Sequence, residues 1–211
     1  MTSEEIRLRN IDKVIEQTLN YFFLLGIDNT TVTMVAKACG LTARSIYRYF
    51  PQKADLVLAT MSHFLEHSFT PLNEKLIQVD STLAKGLERI EMYINAEFEF
   101  FEQKPAVLIL LFEAELYFYR SKKDPLDLAK KVTTLQRLHN SWGEALKSGI
   151  QDGTVRKDID VEQFEETFSL MNNGFLQRMV INYGGSKSEK PISIAENLDN
   201  YKAFVFSYLK P

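Results

Sequence analysis

Apolar residues recur every three or four positions along most of the chain, a spacing typical of amphipathic helices. Near the start, Val14, Ile15 and Phe22 would share one helical face. Seven segments show this pattern: 8–25, 51 to about 78, 81 or 82 to just past 101, 105–119, 125–152, 161–183 and 194–209. Residues 184–191 form a break between the last two segments. Together with two short helices near residue 40, they predict an all-α protein of about nine helices.

Residues 30–56 contain two short amphipathic segments that meet at Gly40. Thr31 can accept a bond from a free backbone N–H and so begin the first helix, and Thr42 can begin the second in the same way. Gly40 can end the first helix because glycine tolerates a positive φ. Pro51 ends the second, because the residue before a proline is pushed out of the α region. The sequence therefore predicts a helix, a tight turn and a second helix.

The second of these helices has one apolar and one basic face. Ile46 and Phe50 are four residues apart and would pack inward against the first helix. Arg44 and Arg48 would then face the opposite way. An exposed arginine near the N-terminus of such a helix can bond a guanine edge in the major groove of DNA. The two segments therefore predict a helix-turn-helix unit that reads duplex DNA.

A longer motif surrounds this unit: Gly26 and Thr31, then Val35-Ala36, Ala38-Cys39-Gly40-Leu41-Thr42, Ile46-Tyr47-x-Tyr49-Phe50-x-x-Lys53 and Leu56. It resembles the DNA-binding domain of the TetR-type (TetR/AcrR) transcriptional regulators, and the resemblance is specific over residues 8–60. Arg44 stands where that family commonly has glycine, and Ala43 where a lysine or polar residue often contacts a base. These departures leave the DNA sequence that is read undetermined.

The resemblance implies an N-terminal three-helix DNA-binding domain over residues 1–53 and a helical effector-binding and dimerisation domain over residues 54–211. The residues expected to contact DNA are Thr33, Thr42, Ala43, Arg44, Ser45, Tyr47, Arg48, Tyr49 and Lys53. In the family, the positions of Tyr47, Tyr49 and Lys53 hold the domain on the DNA backbone. Simpler roles remain open for two of the nine, since Tyr49 lies nearer the apolar face and Arg48 can be a solvated surface charge.

One such unit covers too few base pairs to select a site in a genome, so the function requires a homodimer on two half-sites of an operator. The last two predicted helices carry more apolar surface than a pair of terminal helices easily hides in a monomer. In the resembling family these helices form a four-helix dimer interface. The residues expected there are Phe164, Phe168, Met179, Tyr201, Phe204 and Tyr208. The alternative is that they complete the core.

The middle of the chain combines aromatic rings with a few acids. Such a mix can line a pocket for a small molecule that is apolar or aromatic, cationic ones included. By resemblance, the second domain binds an effector that changes the spacing of the two DNA units and releases the operator. The residues expected at this site are Tyr93, Glu97, Phe101, Phe112, Glu115, Tyr119, Trp142, Met171 and Phe175. The alternative is again ordinary core packing.

Composition restricts the class of protein further. The 211 residues are 45% hydrophobic with only 9 Gly and 6 Pro, which is typical of regular structure, and the single cysteine excludes an internal disulfide. The net charge is −3, yet residues 29–54 hold four basic side chains and no acidic one, enough for phosphate contact. No secretory signal and no apolar run of about 20 residues is found, so we expect a cytoplasmic protein without membrane contact.

A competing hypothesis comes from His63, Glu66 and His67, which match the H-x-x-E-H pattern of inverted zinc peptidases. The two histidines would share a helical face and Glu66 would act as a base, with Glu144 as a distant third ligand. A third hypothesis is a helical adaptor whose DNA unit now contacts protein, which Arg44 in place of glycine slightly favours. No cofactor motif is present. The sequence therefore favours a repressor that is not an enzyme.

Overall fold

The computed structural model describes residues 2–124, 126–183 and 194–211, which are helical almost throughout and contain no strand. This part of the chain forms eleven helices: α1 Ser3–Asn29, α2 Val32–Cys39, α3 Ala43–Tyr49, α4 Lys53–Ser68, α5 Thr70–Asp80, α6 Gly86–Gln103, α7 Pro105–Ser121, α8 Leu126–Ala129, α9 Thr133–Asp152, α10 Val161–Tyr183 and α11 Ile194–Leu209. The all-α prediction is confirmed, and the count exceeds the predicted nine because two long patterns are each interrupted.

The helices α2 and α3 begin and end at the signals found in the sequence. The Thr31 hydroxyl accepts the Met34 N–H at 3.2 Å, and the Thr42 hydroxyl accepts the Ser45 N–H at 3.1 Å. Gly40 ends α2 in the left-handed region at φ 67°. α1 is longer than predicted, since one more turn follows Gly26, where φ is 77° and the helix is kinked.

The single helix predicted from residue 51 to about 78 is wrong. α4 ends at Ser68 and α5 begins at Thr70, with Pro71 in its first turn. A proline has no N–H to donate to the preceding turn, so a continuous helix would lose a hydrogen bond there. Phe69, at the junction, is fully buried and makes edge contacts with the rings of Phe100 and Phe101.

The predicted start of the next helix at Ser81 or Thr82 is also wrong. Both hydroxyls donate backwards, to the carbonyls of Gln78 and Val79 respectively, and so close α5. α6 begins at Gly86, whose N–H donates to the Asp152 carboxylate at 2.8 Å. The group that caps α6 therefore comes from a residue far away in the sequence.

The predicted helix over residues 125–152 is interrupted, and this prediction is wrong as well. The short α8 is followed by a turn, and α9 begins at Thr133, whose N–H donates to the Glu66 carboxylate. At α10 the Asp160 carboxylate accepts the Gln163 N–H at 3.1 Å, as the capping pattern predicted. The predicted break at 184–191 lies outside the described residues.

The chain divides into two compact units. Unit 1 contains residues 1–68 and 109–133, and unit 2 contains residues 69–108 and 134–211. Unit 1 thus joins α1–α4 to most of α7, and unit 2 is built on α5, α6 and α9–α11. Among the described helices none is both long and apolar enough to cross a lipid bilayer.

Candidate nucleic-acid interface

The second helix of the helix-turn-helix unit, α3, is held by its apolar face. Ile46 is fully buried and Phe50 nearly so, and they belong to one cluster with Val14, Val35 and Cys39 of the neighbouring helices. At about 100° per residue, Arg44 and Arg48 lie on the side opposite Ile46, and both are exposed, as the sequence predicted. The basic face of α3 is therefore presented to solvent by a packed scaffold.

The start of α3 is fixed by a small hydroxyl network. The Thr42 hydroxyl, besides capping α3, lies 2.9 Å from the Ser45 hydroxyl. Ala43 is half-buried and packs against the core cluster, whereas Thr33 on α2 is exposed. Ser45 is half-buried. The hydroxyls of Thr42 and Ser45 thus lie at a helix N-terminus, where backbone N–H groups favour an anion such as phosphate.

The Arg48 side chain lies against Tyr49 rather than extending freely. Its guanidinium is 5.4 Å from the Tyr49 ring centroid, and its Nη2 is 3.5 Å from the Tyr49 hydroxyl. The hydrogen bond from Arg48 lowers the pKa of the Tyr49 hydroxyl. Tyr49 is half-buried on the core cluster, while Tyr47 is exposed. Tyr49 therefore supports both the core and the orientation of Arg48.

Lys53 is the predicted DNA contact whose ammonium is already bonded within the protein. Its Nζ donates to the carbonyls of Ile27 at 2.7 Å and Asp28 at 3.0 Å, at the end of α1. It also lies 5.1 Å from the centroid of the Tyr117 ring. Burial lowers the pKa of this ammonium, and the Asp28 carboxylate acts in the opposite direction. This geometry ties the end of α1 to the start of α4.

Further contacts in unit 1 surround this junction. Arg120 pairs with Asp28, and Lys123 pairs with Asp55 at 2.7 Å. No local sequence pattern indicated these pairs, because their members lie 68 or more residues apart. The two acids that flank residues 29–54, Asp28 and Asp55, are thus both paired, and the exposed charges within that range are Lys37, Arg44 and Arg48.

The residues expected to bind a ligand lie in different surroundings. Tyr93, Glu97 and Trp142 are buried in unit 2, Phe175 is half-buried there and Met171 is exposed. The other members of the set, apart from Phe101, lie on α7 in unit 1: Phe112, Glu115 and Tyr119. Tyr119 is 79% exposed, and desolvation raises the pKa of the half-buried Glu115 carboxyl. Their role in binding stays a prediction.

Glu97 is the centre of a buried polar cluster in unit 2. Its carboxylate accepts a bond from the Asn172 amide at 2.7 Å and lies 3.4 Å from the Trp142 indole nitrogen, which donates to it. The Tyr201 hydroxyl donates to the Asn172 carbonyl oxygen at 3.1 Å. Burial raises the pKa of Glu97 to about 7. Sequence reasoning missed Asn172, although its place between Phe168 and Leu176 on the apolar face of α10 was a usable signal.

A cavity of about 510 Å³ opens in unit 2 between α6, the start of α7, α10 and α11. Its apolar lining is Phe98, Phe101, Leu176, Met179, Val180 and Leu198. Asn95, Glu99 and Glu102 are exposed and form its polar border. Of the residues predicted to bind a ligand only Phe101 lines this cavity, and Met179 was predicted at the dimer interface instead.

The residues expected at the dimer interface fall into two groups. Phe168 and Tyr201 are buried inside unit 2, whereas Phe204 is 62% and Tyr208 51% exposed. The half-buried Phe164 stacks on Tyr208 with 5.7 Å between ring centroids, and Met179 is half-buried. α10 and α11 thus both carry uncovered apolar side chains, and on α10 Leu170 and Ile181 are exposed as well.

The zinc-peptidase motif lies on α4 without a metal-site geometry. The rings of His63 and His67 have centroids 4.4 Å apart, and the His67 Nδ1 is 2.7 Å from the His63 carbonyl. The Glu66 carboxylate accepts the Thr133 N–H. Within the described ranges, no three His, Cys, Asp or Glu side chains are placed to hold one metal ion.

Comparison with known proteins found similarity to one family of bacterial regulators. Residues 14–60 match the family model for bacterial regulatory proteins of the TetR family. The HTH-type transcriptional repressor KstR2 of Mycolicibacterium smegmatis is 28% identical over 152 residues, covering 72% of this chain and 70% of the relative.

Two solved structures share the fold. The transcriptional regulator FadR of Bacillus subtilis, in complex with stearoyl-CoA, matches with a TM-score of 0.63 and 17% identity over 93% of this chain and 98% of its own. A regulator from Saccharomonospora viridis in complex with choline matches with a TM-score of 0.64 and 16% identity, over 95% and 97% of the two chains. The match thus extends beyond the helix-turn-helix unit to nearly the whole chain.

Proposed function

We propose that this chain is a TetR-type repressor that binds a palindromic operator as a homodimer and is released by a small-molecule effector, since residues 14–60 match the TetR family model and KstR2 is similar over 72% of the chain. Residues 1–53 would read the DNA, and residues 54–211 would bind the effector and form the dimer. Its relatives are DNA-binding transcriptional regulators, and the named relative is a repressor.

The observation that carries the proposal is the exposed basic face of α3. Arg44 and Arg48 lie one helical turn apart on a helix whose opposite face is buried, and residues 29–54 contain no acidic side chain that would repel phosphate. Arg44 lies in the first turn, the part of a recognition helix that reaches base edges. A planar guanidinium can donate two bonds to one guanine. Arg44 is therefore the residue proposed to read a base.

Dimerisation is supported by the uncovered apolar surface on α10 and α11. α3 has only seven residues, so one copy contacts few base pairs and needs a second copy for selectivity. Phe204 and Tyr208 are large apolar side chains whose exposure is costly in a monomer. A two-fold axis would bring the same patch of each copy together and would produce a palindromic operator.

Response to a small molecule is supported by the cavity and by the two structural relatives. A volume of about 510 Å³ with a mainly apolar lining is within the usual range for ligand sites. FadR of Bacillus subtilis was crystallised with stearoyl-CoA and the Saccharomonospora viridis regulator with choline. The occupant in this chain would act by binding one dimer state better than the other.

The test is selection of bound sequences from a random DNA duplex pool, followed by affinity measurements on the selected site. We expect a palindrome, with Arg44→Ala changing the preferred base at one position of each half-site. Lys157→Ala serves as the control, because this exposed lysine belongs to unit 2 and not to the helix-turn-helix unit. Recovery of no duplex at low salt would refute DNA binding and would favour the protein-adaptor hypothesis.

A further inference from the structure

The cavity in unit 2 has a lining that specifies the chemistry of its occupant. The rings of Phe98 and Phe101 and the side chains of Leu176, Met179 and Leu198 form an apolar wall. Phe98 is fixed by ring contacts with Phe175 at 5.4 Å and Tyr201 at 5.8 Å between centroids. A wall of this kind binds hydrocarbon, since burying apolar surface is favourable and the rings are held in place.

We propose that this cavity is the effector site and that it binds an apolar molecule with a cationic head group in preference to an anionic one of the same chain length. The assignment of the cavity as the effector site rests on the proposed function, whereas the preference for a cation rests only on the residues that border the cavity. Neither the DNA-binding residues nor the buried Glu97 cluster forms part of it.

The charge at the mouth supports the preference for a cation. The charged residues that line the cavity are Glu99 and Glu102, both exposed, and no described lining residue is basic. Glu99 is neutralised by an ion pair with Lys75. For Glu102 no ion pair is found among the described residues, so its carboxylate is the unpaired charge among the described lining residues.

The lysines near the mouth are already engaged. Lys202 donates to the Asn95 side-chain oxygen at 3.3 Å and pairs with Asp199 at 3.2 Å. The ammonium of Lys104 lies 5.5 Å from the ring centroid of Phe100, a residue that does not line the cavity. A carboxylate head group inside the cavity would therefore meet Glu102 and no basic residue of the described lining. A quaternary ammonium would be attracted by the Glu102 carboxylate, while its hydrocarbon chain contacts the wall formed with Phe98 and Phe101.

The position of the cavity also connects its occupant to dimerisation. Leu176, Met179 and Val180 belong to α10 and Leu198 to α11, the two helices whose outer surface is uncovered. A molecule inserted between these helices and α6 changes their packing from inside unit 2. Interfaces respond to small shifts of packed helices, so an occupant of the cavity would alter the dimer interface and, through it, the spacing of the two helix-turn-helix units of a dimer.

The experiment is competition binding with Nile red as a neutral fluorescent probe and two competitors of equal chain length, dodecyltrimethylammonium and dodecanoate, below their micelle concentrations. We expect the cation to bind about fivefold more tightly, the size expected when one exposed charge attracts one head group and repels the other. Glu102→Lys should abolish or reverse the preference. Glu91→Lys is the matched control, because it lies exposed on the same helix about 16 Å away, beyond a Debye length.

A second variant tests the location. Val180→Trp puts a large side chain at a half-exposed lining position and should weaken both competitors at least about threefold, with circular dichroism confirming that the variant folds. Equal binding of the two competitors, a preference that survives Glu102→Lys, or binding unaffected by Val180→Trp would each overturn the inference. Affinity for the selected duplex is measured on the same ligand-free protein. If the protein binds the selected duplex but not the probe, only the cavity assignment is refuted. If it binds the probe but no duplex, only the proposed function is refuted.

Discussion

Replacing Lys53 with methionine separates the two roles open to this residue. The family resemblance predicts a contact with DNA phosphate, whereas the structure has the ammonium donating to the carbonyls of Ile27 and Asp28. Methionine keeps an unbranched apolar stem of similar length, so it removes the charge and both hydrogen bonds with little loss of packing.

The expected cost to stability follows from the two bonds. Hydrogen bonds to a charged group contribute roughly 1.5–3 kcal/mol each when buried. The ammonium of Lys53 is only half-buried and water can replace it in part, so we expect the free energy of unfolding to fall by about 2 kcal/mol in total. The loss of the contact with the Tyr117 ring adds at most about 0.5–1 kcal/mol.

Urea denaturation followed by far-ultraviolet circular dichroism measures this change as a lower midpoint with an unchanged slope. Lys37→Met is the matched control, since Lys37 is exposed on α2 and should change the free energy of unfolding by less than about 0.5 kcal/mol. Duplex affinity is measured in parallel. If Lys53→Met leaves stability unchanged and weakens binding to all duplexes equally, Lys53 contacts phosphate and the structural reasoning is refuted.

Three further predictions concern other parts of the molecule. Since burial raises the pKa of Glu97 from 4.5 to about 7, folding favours its protonated form, and stability should fall by about 3 kcal/mol as pH rises from 4.5 to beyond 7. Glu97→Gln should flatten this decline in urea titrations, and an unchanged profile would show that the carboxyl is not buried as described. Phe204→Glu should convert a dimer to a monomer in light scattering, whereas Lys210→Glu, exposed beyond the end of α11, should not. Gly40→Ala should cost about 1 kcal/mol because φ is 67° while nothing obstructs the methyl group, and Gly174→Ala, in the interior of α10 and equally unobstructed, should instead stabilise. Equal thermal shifts for the two glycine variants would contradict that reasoning.

Some features of the fold were predictable because their causes are local in sequence. Thr31, Gly40 and Thr42 act on backbone groups within four residues, so the boundaries of α2 and α3 follow from the printed sequence. The inward face of Ile46 and the outward face of Arg44 follow from helical periodicity in the same way.

Features that depend on distant residues were not predictable. The start of α6 is set by Asp152, which lies 66 residues from the N–H that it accepts. The ammonium of Lys53 has partners 25 and 26 residues away, and the amide of Asn172 has one 75 residues away. The place of Asn172 on the apolar face of α10 indicates that it is buried, but neither spacing nor composition identifies the partner in such pairings.

The sequence by itself determined the all-α class, the helix-turn-helix unit and the basic face of α3, because these depend on the spacing of apolar residues and on capping within one helical turn. Only the tertiary structure decided which polar side chains bond to other groups of the protein and which remain exposed and able to contact a ligand. The physical reason is that a buried charge or amide must find a partner wherever packing brings one, and packing joins residues without regard to their distance along the chain.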